Sequence, residues 1–169
     1  WQTALDNSIT YPGSATLGVS RTPEREKLFR WVGPIAKNYI TFYSYKNIKL
    51  TKLADLKNYT LGILKGDSAI AILERKGFTV VLGRDETENL MKLREGKIDI
   101  WTTGNLTANY ISKKINVEAP KAIGQTGDAS LYIAFHRDTS DVLIRKLNEL
   151  LDKLNQEELV KKLSVKYRN

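Results

Sequence analysis

The feature that most constrains the fold of this chain is a regular alternation of predicted strands and helices in its middle part. The stretches TLGILK, FTVVLG and IDIWTT are short, apolar and rich in β-branched or aromatic residues, as buried strands are. Each is followed by a segment that is expected to be helical, namely 67–75, 86–95 and 106–114. Strands that alternate with helices through short loops predict an α/β protein with mostly parallel sheets.

Further predicted elements flank this middle part. A helix is expected to end in WQTALDN, the turn NSITYPGS follows it, and the run from Ala15 to Ser20 suits a buried strand. Thr22 is predicted to cap a helix with Pro23 at its first position. ITFYSY, KAIGQ and SLYIAF are expected to be strands, and LTKLADLKNY a short helix. From Ser140 to Tyr167 the sequence predicts helix, with a break near Asn155.

Composition and charge exclude several classes of function. The 169 residues carry a net charge of +8, but the lysines are scattered and form no stripe with aromatic residues, so nucleic-acid binding is not expected. Absent cysteine excludes disulfides and thiolate ligands, and His136, the single histidine, is predicted to be structural. No metal or cofactor is expected. No pair of carboxylates is placed for acid–base catalysis, and no enzyme activity is expected.

Three polar turns follow predicted strands, where ligands bind in α/β sheets. In the first turn, SRTPEREKLF, Arg25 presents a guanidinium fork that matches a carboxylate. From the residues alone, an anion-binding arginine and a solvated surface arginine are equally supported. For the second turn, which contains Gly66, Asp67 and Ser68, an anion-binding role and a plain helix cap are alternatives, and the spacing favours the cap. The candidates in the other two turns are Gly66, Asp67 and Ser68, and Thr103, Gly104 and Asn105.

Four stretches support a more specific interpretation because they occur in one order along the chain. They are LGVSRTPEREKLFRWVGPI, LADLKNYTLGILKGDSAIAIL, LMKLREGKIDIWTTG and SLYIAFHRDTSDVLIRKLNELLDKL. In this order they resemble type II periplasmic solute-binding proteins of the polar amino-acid uptake class. The resemblance covers nearly all of the chain from about Ala15. It implies two α/β lobes joined by hinge strands and closing on a ligand between them.

The resemblance also implies a domain organisation. Residues 1–38 and 126–169 would form part of lobe one, and residues 39–125 would form lobe two. The first strand–helix units of the family have no counterpart here, so lobe one is expected to be incomplete. An incomplete lobe has an exposed sheet edge and exposed apolar helix faces, from which self-association is expected.

Site residues follow from the resemblance position by position. Arg25 would bind the carboxylate of the solute, helped by the backbone and hydroxyl of Ser20. Ser68 would add a hydrogen bond from lobe two.

The chain departs from the family at the group that binds the α-amino group of the solute. The acidic residue of the family falls on Gly104, with Asn105 next to it. Arg21 adds positive charge where the family has an apolar residue. Together these changes favour an anionic or carboxylate solute, while Asp67 is the alternative partner for an amine.

The resemblance therefore implies an extracytoplasmic solute-binding protein of an ABC-type uptake system. It would bind a small carboxylated solute by hinge closure and be recognised by a membrane permease. Export to the periplasm is implied, although no signal peptide is visible in the chain. The alternative on the same fold is the ligand-binding input domain of a signalling receptor. An enzyme on this fold would need a catalytic carboxylate at the cleft, and none is evident.

Overall fold

The computed structural model describes residues 1–156, and these divide into two compact units. Unit 1 comprises Trp1–Asn38 and the described residues that follow Gly127, and unit 2 comprises Tyr39–Gly127. No helix in the described part of the chain has the length and apolar character needed to cross a membrane. In chain order the elements are α1 (Gln2–Thr10), β1 (Ala15–Ser20), β2 (Phe29–Ala36), β3 (Tyr39–Ser44), a 3₁₀ helix (Leu53–Asn58), β4 (Thr60–Leu64), α2 (Ile70–Arg75), β5 (Thr79–Gly83), α3 (Glu86–Arg94), β6 (Ile100–Gly104), α4 (Ala108–Lys114), β7 (Lys121–Asp128), β8 (Leu131–His136) and α5 (Asp141–Gln156).

Unit 1 contains a three-stranded sheet in the order β1-β8-β2, in which β8 pairs antiparallel with both neighbours. Its core is an apolar cluster that includes Leu5 of α1, Val19 of β1, Trp31 of β2 and Ala134 of β8. The mostly parallel pairing predicted for the sheets is not found in these strands. Strands β1 and β2 are not neighbours, because β8 lies between them and runs in the opposite direction to both.

The helix predicted after Thr22 is wrong, because this segment is a series of turns. The backbone N–H of Arg25 donates to the Thr22 carbonyl at 3.0 Å, and that of Leu28 donates to the Arg25 carbonyl at 3.0 Å. The Thr22 hydroxyl accepts from the Arg25 N–H at 3.4 Å, so the predicted cap caps a turn. The chain enters β2 at Phe29, which leaves too few residues to offset the cost of nucleating a helix.

Helix α5 lies against the outer strand β2 and is joined to it by one side chain. The Asn148 amide nitrogen donates to the Trp31 carbonyl at 3.2 Å, and its oxygen accepts from the Gly33 N–H at 3.0 Å. The same nitrogen also donates to the Ile144 carbonyl of α5 at 3.0 Å. Asn148 therefore satisfies a donor and an acceptor of β2 that no neighbouring strand reaches among the described residues.

Unit 2 contains a five-stranded sheet in the order β5-β4-β6-β3-β7. Strand β4 pairs parallel with both β5 and β6, whereas β3 pairs antiparallel with β6. The predicted α/β class is confirmed, with sheets that are mixed rather than mostly parallel. Because β5, β4 and β6 are parallel, their carboxyl ends lie at one edge of the sheet. The turns that follow these three strands therefore lie together.

Both faces of the sheet in unit 2 are covered, as expected for parallel strands. One cluster includes the fully buried Leu61, Ile63 and Ile100, and α2 packs against it through Leu73. The cluster on the other face includes Trp101 and, from α3, Leu90 and Leu93.

Several predicted boundaries shift by a few residues. Helix α1 continues to Thr10, so the predicted turn begins later. Helix α2 begins at Ile70 rather than at residue 67, and α4 begins at Ala108 rather than at residue 106. Helix α5 includes Asn155 and extends to Gln156, the last described residue, so a break just after Asn155 stays a prediction. The remainder of the helix predicted to Tyr167 lies outside the described residues.

Gly83 permits the close approach of α3 to the sheet and gives a stability prediction. A Cβ on Gly83 would lie 2.2 Å from Oδ1 of the buried Asn89. We expect Gly83→Ala to lower the free energy of unfolding by about 1–3 kcal/mol, the usual effect of overpacking a core. Gly124→Ala is the control, because its Cβ would meet Leu50 at 3.4 Å, an ordinary contact. Urea denaturation of both variants is the measurement, and equal stabilities would contradict the prediction.

Candidate functional site

The structure brings Arg25 and Ser20 together at the carboxyl end of β1. Nη1 of Arg25 donates to the Ser20 carbonyl at 3.3 Å, and both residues are half-buried. The Ser20 hydroxyl donates to the carbonyl of Ala129 at 3.3 Å. A guanidinium is a planar fork of five N–H donors, a geometry that matches a carboxylate.

Arg21, the other arginine of this turn, forms a bidentate ion pair with Glu26. Its Nε and Nη2 donate to the two carboxylate oxygens at 2.7 and 2.6 Å. This bond lowers the pKa of Glu26 and raises that of Arg21. The added positive charge predicted for Arg21 is therefore paired within unit 1.

The same turn contacts aromatic residues of the sheet. The guanidinium carbon of Arg21 lies 5.7 Å from the ring centroid of Trp31 and 5.8 Å from that of Tyr132. Trp31 Nε1 donates to the carbonyl of Glu26 at 3.4 Å. These contacts fix the backbone directly after Arg25, in a segment whose own backbone hydrogen bonds are those of turns.

In unit 2, the turn after β4 has a backbone that requires glycine. Gly66 has a φ of 85°, in the left-handed region that other residues rarely adopt. Asp67 Oδ1 accepts from the Ala69 N–H at 2.7 Å, so the predicted cap closes the turn before α2. Ser68 is half-buried beside them. The three predicted residues thus form one compact turn at the carboxyl end of β4.

In the turn after β6, Asn105 makes hydrogen bonds to a neighbouring strand that the sequence did not predict. Asn105 Oδ1 accepts from the Tyr39 N–H at 2.9 Å, and the Asn105 N–H donates to the Tyr39 carbonyl at 3.2 Å. The side-chain oxygen of Asn105 therefore joins β6 to β3. Gly104 is half-buried at the end of β6, and Thr103, before it, is 4% exposed.

The residue that sequence reasoning missed is Glu86, the first residue of α3. Its Oε1 accepts from the Thr103 hydroxyl at 2.6 Å, and its Oε2 accepts from Trp101 Nε1 at 2.8 Å. Burial raises the pKa of the Glu86 carboxyl, and the bonds from Thr103 and Trp101 oppose this effect. The signal for Glu86 in the sequence is an acidic residue soon after the predicted strand FTVVLG. An acidic residue is also typical of the first turn of a helix, so this signal is not specific.

Asp99 and His136 have structural roles. Asp99 Oδ2 accepts from the Thr60 N–H at 2.9 Å, and its Oδ1 pairs with Lys46. His136 is buried, and its Nδ1 accepts from the Asp138 N–H at 3.1 Å. Within residues 1–156, no group of three or more His, Cys, Asp or Glu residues is arranged to hold a metal ion.

Comparison with known proteins defines the fold. The chain is similar to an ancestral arginine-binding protein bound to glutamine, with 23% identity and a TM-score of 0.72, over 89% of this chain and 68% of that one. It is similar to the substrate-binding protein of an amino acid ABC transporter, with 18% identity and a TM-score of 0.73, over 90% and 70%. It is also similar to a histidine kinase sensor domain with similarity to periplasmic binding proteins, with 15% identity and a TM-score of 0.86, over 99% and 75%.

These likenesses show a type II periplasmic binding protein fold, and the predicted fold is confirmed. The solved proteins that are similar to the chain thus include an arginine-binding protein and the substrate-binding protein of an amino acid ABC transporter. No protein-family model matches the sequence, and no curated protein matches it.

Proposed function

We propose that this protein is the solute-binding component of an ABC-type uptake system and that it binds a small carboxylated solute, such as an amino acid. The observation that carries the proposal is Arg25, whose guanidinium lies at the carboxyl end of β1 with donors that match a carboxylate. The fold supports it, because two of the similar solved proteins are described as amino-acid-binding or as part of an amino acid transporter.

Each unit contributes one group of residues to this proposed binding function. In unit 1, Arg25 with Ser20 binds the carboxylate. In unit 2, hydrogen bonds come from the turns after β4 and β6, and in the second of these turns Asn105 contributes only its amide nitrogen. The proposed residues of unit 2 are Gly66, Asp67, Ser68, Thr103, Gly104 and Asn105.

The proposal extends to partners and location. The protein acts outside the cytoplasmic membrane, binds its solute with hinge closure and delivers it to a membrane permease. Its role is binding without catalysis, as for the binding proteins that share its fold. Self-association is supported by the apolar side chains that α5 exposes, namely Val142, Leu143, Leu150 and Leu154.

A thermal-shift screen tests the proposed function. The panel contains the standard amino acids, the same acids without their α-amine, small organic acids and inorganic anions, with sugars and simple amines as controls. We expect at least one carboxylated solute to raise the melting temperature, because a ligand at 100 times its Kd stabilises the folded state by about 2.7 kcal/mol. If only solutes without a carboxylate stabilise the protein, or none does, the proposal is wrong.

The second candidate is a ligand-binding input domain of a signalling receptor. It is supported by the similarity to the histidine kinase sensor domain, which extends over 99% of this chain with a TM-score of 0.86. The sequence of the complete gene separates the two candidates. A membrane span and a kinase domain on the same polypeptide would favour the sensor, whereas a neighbouring permease gene would favour the transporter.

A further inference from the structure

We propose that Glu86 supplies the negative charge that binds a cationic amine of the solute. The solute would then be a zwitterion with both a carboxylate and an amine. This inference rests on the proposed function above and narrows its solute class. It differs from the expectation drawn from Gly104 and Arg21, which favoured an anionic or carboxylate solute with Asp67 as the alternative partner for an amine.

The position of Glu86 places its carboxylate among the candidate residues of unit 2. Glu86 follows β5, yet its side chain bonds to two residues of β6, and β4 lies between these strands. The carboxylate therefore crosses the carboxyl end of β4, where the turn that contains Asp67 begins. It also bonds to Thr103. The carboxylate is thus bonded to the residue that directly precedes Gly104 in β6.

The hydrogen bonds that Glu86 receives leave room for a further donor. An ionised carboxylate offers about four acceptor positions. Trp101 and Thr103 each donate one hydrogen bond to it, and Asn89 is a third neutral donor beside it, which leaves one position. Glu86 is half-buried rather than sealed in the core. A solute amine can therefore approach the carboxylate without displacing any of these donors.

The electrostatics of this site are those of a cation-binding group. The main influences on the pKa of Glu86 are burial, the neutral donors Trp101, Thr103 and Asn89, and the negative charge of Asp67. No cation is among these described influences. A partly desolvated carboxylate without a cationic partner is unfavourable. A solute ammonium would offset that cost, whereas a second anionic group would increase it.

Thr103 reinforces this preference through the direction of its hydrogen bond. Its hydroxyl has a single proton, which it donates to Glu86. Any further contact to this oxygen must therefore come from a donor. This part of unit 2 thus presents acceptor atoms, which an ammonium matches and a carboxylate does not.

The competing explanation is that Glu86 only joins α3 to β6. Isothermal titration calorimetry on the full chain separates the two explanations with matched pairs of probes. Each pair is a standard amino acid and the same acid without its α-amine, such as L-glutamine with 4-carbamoylbutanoic acid and L-arginine with 5-guanidinopentanoic acid. The proteins are wild type, Glu86→Gln, Glu86→Asp and the control Glu74→Gln, which removes an equal charge from an exposed position of α2.

We expect the wild type to bind at least one amino acid about tenfold or more tightly than its deaminated partner, the size of a hydrogen bond to a charged group. Glu86→Gln should reduce this ratio towards one, whereas Glu86→Asp and Glu74→Gln should keep it. The ratio compares two ligands on one protein, so it does not depend on a change in stability, which melting curves record separately.

Two other results would count against the inference. If a carboxylated solute binds but the wild type does not prefer the amine, or Glu86→Gln keeps the preference, Glu86 is a structural residue and the proposed function stands. If the wild type binds no carboxylated solute, the proposed function fails, and this inference fails with it.

Discussion

Replacing Arg25 by alanine is expected to weaken the binding of a carboxylated solute about 10- to 150-fold. A hydrogen bond to a charged group contributes about 1.5–3 kcal/mol, and each 1.4 kcal/mol is a tenfold change in Kd. The effect on folding should be small, because Arg25 is only half-buried. Calorimetric titration with the best solute from the screen gives the affinity, and thermal melting gives the stability.

Two variants make the Arg25 result specific. Arg137→Ala removes the same charge from a highly exposed position of unit 1 and should leave the affinity unchanged. Arg25→Lys keeps the charge but loses the planar fork, so an intermediate loss is expected. An unchanged Kd for Arg25→Ala, or an equal loss for Arg137→Ala, would remove Arg25 from the site.

Replacing Trp101 by alanine is expected to destabilise unit 2 by about 3–5 kcal/mol, the usual cost of truncating a large buried aromatic residue. Trp101 is 0% exposed and packs against Tyr43, with ring centroids 6.0 Å apart. The substitution also removes a donor from the carboxylate of Glu86. Hydrogen exchange measured by mass spectrometry resolves the effect, because amides of unit 2 should lose protection while those of unit 1 keep theirs.

The two contributions of Trp101 can be separated. Trp101→Phe keeps most of the apolar volume and loses the N–H group, so a smaller loss of about 1–3 kcal/mol is expected. Tyr110→Ala is the control, because this aromatic residue of unit 2 is 50% exposed and should change stability by less than about 0.5 kcal/mol. A loss below about 1 kcal/mol for Trp101→Ala would show that the side chain does not fill the core.

The elements predicted best from the sequence are those whose secondary structure depends mainly on their own residues. Strands such as β4 and β6 are short apolar runs, and their parallel pairing follows from the helices that separate them. The turn after β1 was predicted less well. Thr22 and Pro23 are typical of a helix start, but the short distance to β2 allows only turns. Local preference is overridden there by the positions of the two flanking strands.

The candidate site was harder to predict, because its chemistry depends on contacts between distant residues. Arg21 and Glu26 are five residues apart, yet no pattern in the sequence announces that their charges pair beside Trp31 and Tyr132. Glu86 lies seventeen residues before Thr103, and only the order of the strands brings them together. The sequence of each turn therefore predicts the turn itself. It does not predict that Glu86, which follows one strand, bonds to Thr103 of another.

The contact between Asn148 and β2 has a consequence for how the sheet of unit 1 behaves towards other chains. An unpaired strand offers alternating N–H and carbonyl groups on which a foreign strand can assemble. The Asn148 amide engages the Trp31 carbonyl and the Gly33 N–H, two residues apart on one side of β2. It thus imitates one peptide unit of a missing neighbour, and an incoming strand would have to displace it before it could pair across this position.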